Sequence, residues 1–137
     1  MSYAIETTDL EYRAGKRFAL HHLNLHVPRG SIYGFLGANG SGKTTTIRLL
    51  LALLRPLSGR IRILDGEMPG DAPRLLARIG FVPEQPHLDT TFTVREMLTF
   101  QEAFYSTWDR QRAEDLLQQF QLDGQHVIGR LSKGQKA

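Results

Sequence analysis

Short apolar stretches with different spacings predict a chain of mixed α and β structure. Residues 20–27 alternate apolar and polar positions, which predicts a half-buried strand. The compact apolar run at 31–36 predicts a buried strand, and the apolar spacing of 45–54 predicts a helix that ends before a proline. A further strand is predicted over 79–85, ending in a glutamine. At 61–64 an interrupted apolar run before Asp-Gly predicts a half-exposed strand that enters a turn.

Two helices are predicted in the second half of the chain. Thr93 and Glu96 have the spacing of a capping box, and the helix that they open carries these apolar residues on one face: Val94, Met97, Leu98 and Phe104. Residues 106–122 predict a second amphipathic helix with Gly124 as its C-terminal stop and with these residues inside: Leu116, Leu117 and Phe120. Four aromatic residues of this region are expected in the core rather than at an interface: Phe100, Phe104, Tyr105 and Trp108.

The composition is that of an ordinary globular domain. The chain has 137 residues, of which 23% are charged, and it has no cysteine, so disulfides, thiolate zinc sites and cysteine nucleophiles are excluded. Residues 30–42 form the longest stretch without Asp, Glu, Lys or Arg, and this stretch is shorter than the roughly 18–20 residues of a membrane helix. Because no basic and apolar leader follows the first Met, we expect a cytosolic protein.

Positive charge is concentrated in one part of the chain. Residues 12–64 contain nine Lys or Arg and no acidic residue, whereas residues 65–129 contain eleven acidic and five basic residues. Local positive charge favours anionic ligands such as phosphates. Basic side chains that only solvate the surface would produce the same pattern, so charge alone leaves both interpretations open.

Metal sites built only from protein side chains are not expected. Because Arg62 interrupts the apolar run before Asp65, a turn is a better interpretation of Asp65 than a magnesium ligand at the end of a buried strand. The five histidines have no carboxylate or cysteine at ligand spacing, and they lie at positions 21, 22, 26, 87 and 126.

Residues 37–44 fit the phosphate-binding pattern G-x-x-x-x-G-K-[ST] at each fixed position. The pattern lies between a predicted strand and a predicted helix, as phosphate binding requires, because backbone N–H groups and the helix N-terminus then converge on the β-phosphate. Lys43 would add positive charge at the β- and γ-phosphates, and Thr44 a hydroxyl ligand for Mg²⁺. A glycine-rich turn before a buried helix would explain the glycines but not the Lys43–Thr44 pair. The sequence therefore predicts a nucleoside triphosphate site.

Three motifs in a fixed order resemble the nucleotide-binding subunit of ATP-binding cassette (ABC) transporters. The phosphate loop is followed by the predicted strand that ends in Gln85, and then by Leu-Ser-Lys-Gly-Gln at 131–135, which is similar to the family's signature motif. The resemblance covers residues 1–137 and implies an α/β fold truncated after the signature motif. It implies a P-loop NTPase core with an N-terminal antiparallel β subdomain, over about 1–85, and a helical segment, over about 86–137.

The resemblance implies an ATP site assembled from several segments. Tyr12 matches the aromatic residue that stacks on adenine, although packing, or Phe18 in that role, is an alternative. Lys133 departs from the glycine that the family most often has in its signature motif. The implied magnesium ligands are Thr44 and Gln85. The implied ATP contacts are Tyr12, Gly37, Ala38, Asn39, Gly40, Ser41, Gly42, Lys43, Thr44, Thr45, Ser132 and Gly134.

For the complete protein the resemblance implies an ATPase that powers transmembrane transport. In the family, a magnesium-binding aspartate, a catalytic glutamate and a switch histidine follow the signature helix, and the printed sequence does not extend to them. We therefore assign no catalytic residue and expect this chain to bind Mg-ATP without hydrolysing it at a useful rate. Residues 44–48 and 104–109 are similar to those of bacterial multidrug or antibiotic exporters.

The resemblance also implies partners and a location. We expect a membrane-spanning permease, a second nucleotide-binding domain paired head to tail, and no nucleic acid, with the protein peripheral at the cytoplasmic face of the membrane. The alternative is a soluble ABC ATPase that acts in translation or DNA repair. A translation-type protein needs a second cassette, and DNA-repair ATPases place a long coiled coil where this chain has only 86 residues between Thr44 and Leu131.

Overall fold

A computed structural model describes residues 2–16 and 18–136 of the chain. The described residues form two compact units, one ending at Gly80 and one beginning at Phe81. Each unit has its own cluster of buried apolar side chains. Among the described residues, no helix has the length and apolar character needed to cross a lipid bilayer.

The first unit contains a four-stranded antiparallel sheet in the order β2-β1-β3-β4. The strands are β1 (Tyr3–Ala14), β2 (Phe18–Pro28), β3 (Ser58–Ile63) and β4 (Gly66–Met68). Leu64 and Asp65 have φ values of 47° and 71° and form a two-residue hairpin turn between β3 and β4. The strands predicted over 20–27 and at 61–64 are therefore confirmed. The sequence does not predict bounds for a strand over Tyr3–Ala14, where β1 pairs with both β2 and β3.

One apolar cluster joins this sheet to two helices, α1 (Lys43–Leu50) and α2 (Ala72–Leu76). Leu10 and Ile61 of the sheet are almost completely buried, as are Leu49 of α1 and Leu75 of α2. Burial of each such side chain contributes roughly 1.5–3 kcal/mol to folding. Because Leu49 anchors α1 in this cluster, the cluster also holds in place the loop that leads into α1.

The helix α1 is shorter than the helix predicted over 45–54. It ends at Leu50, and Ala52 has a φ of 56°. The Leu53 N–H donates to the Arg48 carbonyl at 2.9 Å, and the Ala52 N–H donates to the Leu49 carbonyl at 3.0 Å. These two bonds form a Schellman motif, which closes the helix with alanine in the position that glycine usually takes. The apolar run continues past this point, so the apolar spacing alone does not reveal the end of the helix.

Two of the predicted strands are not formed. The described structure assigns neither strand nor helix to 31–36 or to 79–85. Ile32 and Leu36 are fully or almost fully exposed, although the sequence predicts a buried strand there. A strand requires a neighbouring strand for its backbone N–H and C=O groups. The four-stranded sheet supplies no such neighbour to either segment, so both predictions are wrong for the described residues.

The second unit is helical. It contains α3 (Val94–Glu102), α4 (Arg110–Gln119), a short 3₁₀-helix (Ile128–Arg130) and α5 (Lys133–Lys136). The predicted capping box is confirmed, because the Thr93 side chain accepts from the Glu96 N–H while the Glu96 side chain accepts from the Thr93 N–H. The buried residues of this unit's cluster are Val94, Leu117 and Ile128.

The second predicted helix differs from α4 at both ends. The helix begins after Asp109, whose side chain accepts from the Arg112 N–H, rather than at residue 106. It ends at Gln119, and the positive φ of 54° falls on Gln121 rather than on Gly124, so Gly124 is not the stop. Phe120 was expected inside but is 63% exposed.

Of the four aromatic residues expected in the core, three are exposed and Trp108 is half-buried. Phe100, Phe104 and Tyr105 are 50%, 67% and 55% exposed, so the expectation that they lie in the core is wrong. The ring centroids of Phe100 and Phe104 are 5.1 Å apart, and those of Tyr105 and Trp108 are 6.3 Å apart. We call these four residues the aromatic surface.

Candidate phosphate-binding site

Residues 37–42 form a glycine-rich loop that enters α1. Gly40 and Gly42 have φ values of 81° and 96°, a conformation that side chains with a Cβ rarely adopt. Gly42 is the N-cap of α1. The Ser41 N–H donates to the Ala38 carbonyl at 3.2 Å, which closes a turn within the loop. The loop thus curves back on itself before the helix begins.

Lys43 reaches back over this loop. Its Nζ donates to the Gly37 carbonyl at 2.5 Å and to the Ala38 carbonyl at 2.8 Å. The ammonium group therefore lies at the loop, next to the N-terminus of α1, rather than in open solvent. A charged donor held by two neutral carbonyls can exchange them for phosphate oxygens, with which a charged hydrogen bond is stronger.

The three threonines after Lys43 differ in what they can offer a ligand. Thr46 is buried, and its hydroxyl donates to the Gly42 carbonyl at 2.9 Å, so it stabilises the first turn of the helix. Thr44 is exposed and Thr45 is half-buried. Because Thr44 is the most exposed of the three, its hydroxyl is the one best placed for a ligand. The N–H groups of the first helical turn have no acceptor within the helix and carry its positive dipole end, so they favour an anionic ligand at the same place.

Tyr12 lies in β1 opposite Leu20. It is half-buried and packs against the apolar cluster that contains Leu10. This contact agrees with the packing alternative, and Tyr12 is not fully buried.

The remaining predicted site residues lie in the second unit. Gln85 is exposed in an irregular segment between Pro83 and Pro86. The Ser132 N–H donates to Gln135 Oε1 at 3.0 Å, and the Gln135 N–H donates to Ser132 Oγ at 3.2 Å. This reciprocal pair is a second capping box, and it fixes the start of α5. Gly134 is exposed. We call residues 131–135 the signature segment.

Hydrogen bonds in the second unit lower the pKa of carboxyl groups outside the predicted site. Arg95 donates to Glu114 at 2.5 Å, and this hydrogen bond and its charge hold the pKa of Glu114 below its ordinary value. The pKa of Glu96 is lowered because its carboxylate accepts from the Thr93 N–H and from the Thr93 hydroxyl. Among the described residues, no group of three or more His, Cys, Asp or Glu could hold a metal ion.

A family model described as ABC transporter matches residues 20–137. The chain belongs to the ABC transporter family. It is 38% identical to the bacitracin transport ATP-binding protein BcrA of Bacillus licheniformis, over 99% of this chain and 45% of that protein. It is 36% identical to the Nod factor export ATP-binding protein I of Burkholderia orbicola, over 96% of this chain and 45% of that protein. The chain thus spans about half the length of the curated relatives that it matches.

Solved structures of the ABC transporter family have the same fold. An ATP-binding subunit of an ABC transporter superposes with a TM-score of 0.84 at 27% identity, over 97% of this chain and 57% of that chain. The protein cbiO1 from Clostridium perfringens, part of the complex cbiONQ, superposes with a TM-score of 0.77 at 25% identity, over 99% and 58%. The expected fold class is confirmed at this level: the chain has the fold of an ABC ATPase nucleotide-binding domain, with an N-terminal antiparallel sheet followed by a helical segment.

Two features of the signature segment in this ABC transporter family member were not predicted from its sequence. One is the capping box of Ser132 and Gln135, which the spacing Ser-x-x-Gln would have revealed. The other is an ion pair in which Lys133 Nζ lies 3.8 Å from Glu84 Oε1. No sequence signal reveals this pair, because its members are far apart along the chain.

Proposed function

We propose that the chain binds Mg-ATP through residues 37–44. One observation carries the proposal: the ammonium group of Lys43 lies on the carbonyls of a loop that two positive-φ glycines lead into a helix N-terminus. Phosphate oxygens would replace those carbonyls as acceptors from Lys43, while loop N–H groups and the helix dipole would stabilise the phosphate charge. Because members of this family are ATP-binding cassette proteins, we assign ATP as the triphosphate.

The other site residues have proposed roles around this centre. Thr44 would offer its exposed hydroxyl to Mg²⁺, and Gln85 its side-chain carbonyl, with phosphate oxygens completing the shell of hard oxygen ligands. Tyr12 would stack its ring on adenine. Ser132 and Gly134 would contact the nucleotide held by a second nucleotide-binding domain, in a head-to-tail pair.

We propose export as the process that the complete protein powers. Two relatives are named for bacitracin transport and for Nod factor export, and these names support an exporter for this chain. A membrane-spanning permease would then hold the protein at the cytoplasmic face of the membrane. The aromatic surface, with three rings at least half exposed, is the part of the helical unit that we assign to this contact.

ATP hydrolysis by the 137-residue chain itself is not expected at a useful rate. Attack by water on the γ-phosphate needs a group that orients the water, besides neutralisation of charge. Lys43, Thr44 and Gln85 would neutralise charge and hold the metal, but none of them is a carboxylate. Phosphate release above the background of the Lys43→Ala variant would contradict this expectation.

Calorimetric titration with Mg-ATP tests the proposed site. Lys43→Ala should weaken binding by about 10- to 100-fold, because a hydrogen bond to a charged group contributes roughly 1.5–3 kcal/mol. Lys136→Ala removes the same charge from α5 and should leave the affinity unchanged. Equal affinities for wild type and Lys43→Ala would exclude Lys43 from the site, and an absence of binding by the folded wild-type chain would overturn the proposed function.

A further inference from the structure

An ion pair within the second unit joins two segments that the proposed function uses. Lys133 Nζ lies 3.8 Å from Glu84 Oε1. Glu84 directly precedes Gln85, and Lys133 lies between Ser132 and Gly134. The pair therefore links the segment that contains Gln85 to the signature motif at 131–135.

Glu84 is placed so that a restraint on it also restrains Gln85. Prolines stand at positions 83 and 86, on both sides of the Glu84–Gln85 pair. Proline fixes its own φ near −65° and restricts the conformation of the residue before it. Pro86 restricts the backbone of Gln85, and Pro83 fixes its own φ directly before Glu84. Because Glu84 and Gln85 are adjacent, a contact that holds Glu84 also limits where Gln85 can lie.

The backbone position of Lys133 is also well defined. The hydrogen bonds between Ser132 and Gln135 fix the first turn of α5, at 3.0 and 3.2 Å. Lys133 is the first residue of that helix. Its flexible side chain therefore extends from a fixed backbone position toward a carboxylate in another segment.

We propose that Lys133, acting through Glu84, is a positioning residue for Gln85 and so for magnesium-dependent ATP binding. This inference rests on the proposed function, in which Gln85 offers an oxygen to Mg²⁺. The side chains of Lys133 and Glu84 are 71% and 88% exposed, so the effect is modest and sensitive to salt. We expect a two- to fivefold change in the affinity gained from Mg²⁺, which corresponds to about 0.4–1 kcal/mol and lies within the range of exposed ion pairs.

The contact can be tested without any nucleotide. A carbodiimide joins a carboxylate to an amine only when the two are in contact, and it forms an amide with loss of water to the reagent. Peptide mass spectrometry of the treated wild-type chain should find Glu84 joined to Lys133. Lys133→Ala should remove this product and Lys136→Ala should retain it. Absence of the product from the wild-type chain would overturn the proposal.

The positioning role is tested by titrating ATP in Mg²⁺ and again in EDTA. Lys133→Glu and Glu84→Lys should each lower the ratio of the two affinities two- to fivefold and leave the affinity in EDTA unchanged. The doubly exchanged variant Glu84→Lys/Lys133→Glu should restore the ratio, and 0.5 M salt should remove the differences. The matched control, Lys136→Glu, makes the same charge change on the same short helix and should preserve the ratio.

The outcomes separate this inference from the function on which it rests. If the wild-type chain binds no ATP in either buffer, both are overturned. If it binds ATP but the ratio is insensitive to the exchanges, or the doubly exchanged variant shows the summed loss of the single variants, only the positioning role is overturned.

Discussion

At Gly40 the glycine-rich loop over 37–42 takes a backbone conformation that costs other residues about 1–2 kcal/mol. Its φ is 81°, and open space surrounds the position where a Cβ would lie. Gly40→Ala should therefore act through backbone strain alone: the free loop of the variant relaxes away from this conformation, and restoring it on binding should weaken Mg-ATP affinity by about 5- to 30-fold. Gly34→Ala is the matched control, because Gly34 also faces open space but has no φ in the left-handed range. Titration of both variants checks this, and equal affinities would show that the loop binds ATP in another conformation.

The residues of the glycine-rich loop match a phosphate-binding pattern that spacing alone identifies, and their binding of phosphate stays a prediction. The fixed positions of the pattern are Gly37, Gly42, Lys43 and Thr44. Their match depends only on spacing along the chain and not on the rest of the fold. The position of the Lys43 ammonium on two loop carbonyls could not be predicted, since it depends on three-dimensional contacts. For Tyr12 the sequence left stacking and packing open, and the structure adds a packing contact without deciding the stacking role.

Among the elements, α3 depends on its capping box. Thr93→Ala removes the hydroxyl that accepts from the Glu96 N–H, and the loss of such a cap costs about 1 kcal/mol. Thr99→Ala is the control, because Thr99 lies inside α3, where its hydroxyl donates to the Arg95 carbonyl and alanine is the better helix former. Urea denaturation should show a lower midpoint for Thr93→Ala and an unchanged or higher one for Thr99→Ala.

The same box makes α3 sensitive to acid. Hydrogen bonds from the Thr93 N–H and hydroxyl lower the pKa of Glu96 in the folded chain. A carboxyl group with a lowered folded pKa adds stability above its unfolded pKa, and this stability is lost as the pH falls through the folded value. Thr93→Ala removes one of these bonds, so its stability should fall less steeply than that of the wild type at acidic pH. Parallel pH curves for the two proteins would contradict this account of the box.

The predicted elements differ in how far local sequence determines them. The cap at Thr93 depends on neighbouring residues and is found as predicted. The hairpin turn is also local, but it lies at Leu64–Asp65, one residue before the predicted Asp-Gly turn. The strands predicted over 31–36 and 79–85 require partner strands elsewhere, which an apolar run does not supply. The ends of α1 and α4 were also missed, because each helix closes at a non-glycine residue with positive φ, Ala52 or Gln121.

At the scale of the whole molecule, the missing strand pairing leaves large apolar side chains in solvent. Ile32 and Leu36 are 105% and 91% exposed, and Leu53 and Leu57 of the same unit are 66% and 70% exposed. Exposed apolar patches of this kind promote self-association. We therefore expect the 137-residue chain to self-associate at high concentration and to bind hydrophobic dyes.

Replacing both Ile32 and Leu36 by serine tests this expectation. Since the two side chains bury almost no surface, the free energy of unfolding should change by less than about 0.5 kcal/mol. Self-association measured by light scattering should decrease, because serine removes apolar surface from solvent. Leu49→Ser is the contrasting variant: Leu49 is 1% exposed in the core, so its loss should cost several kcal/mol and increase association through unfolding. A large loss of stability in the Ile32/Leu36 variant would instead mean that these side chains are packed in solution.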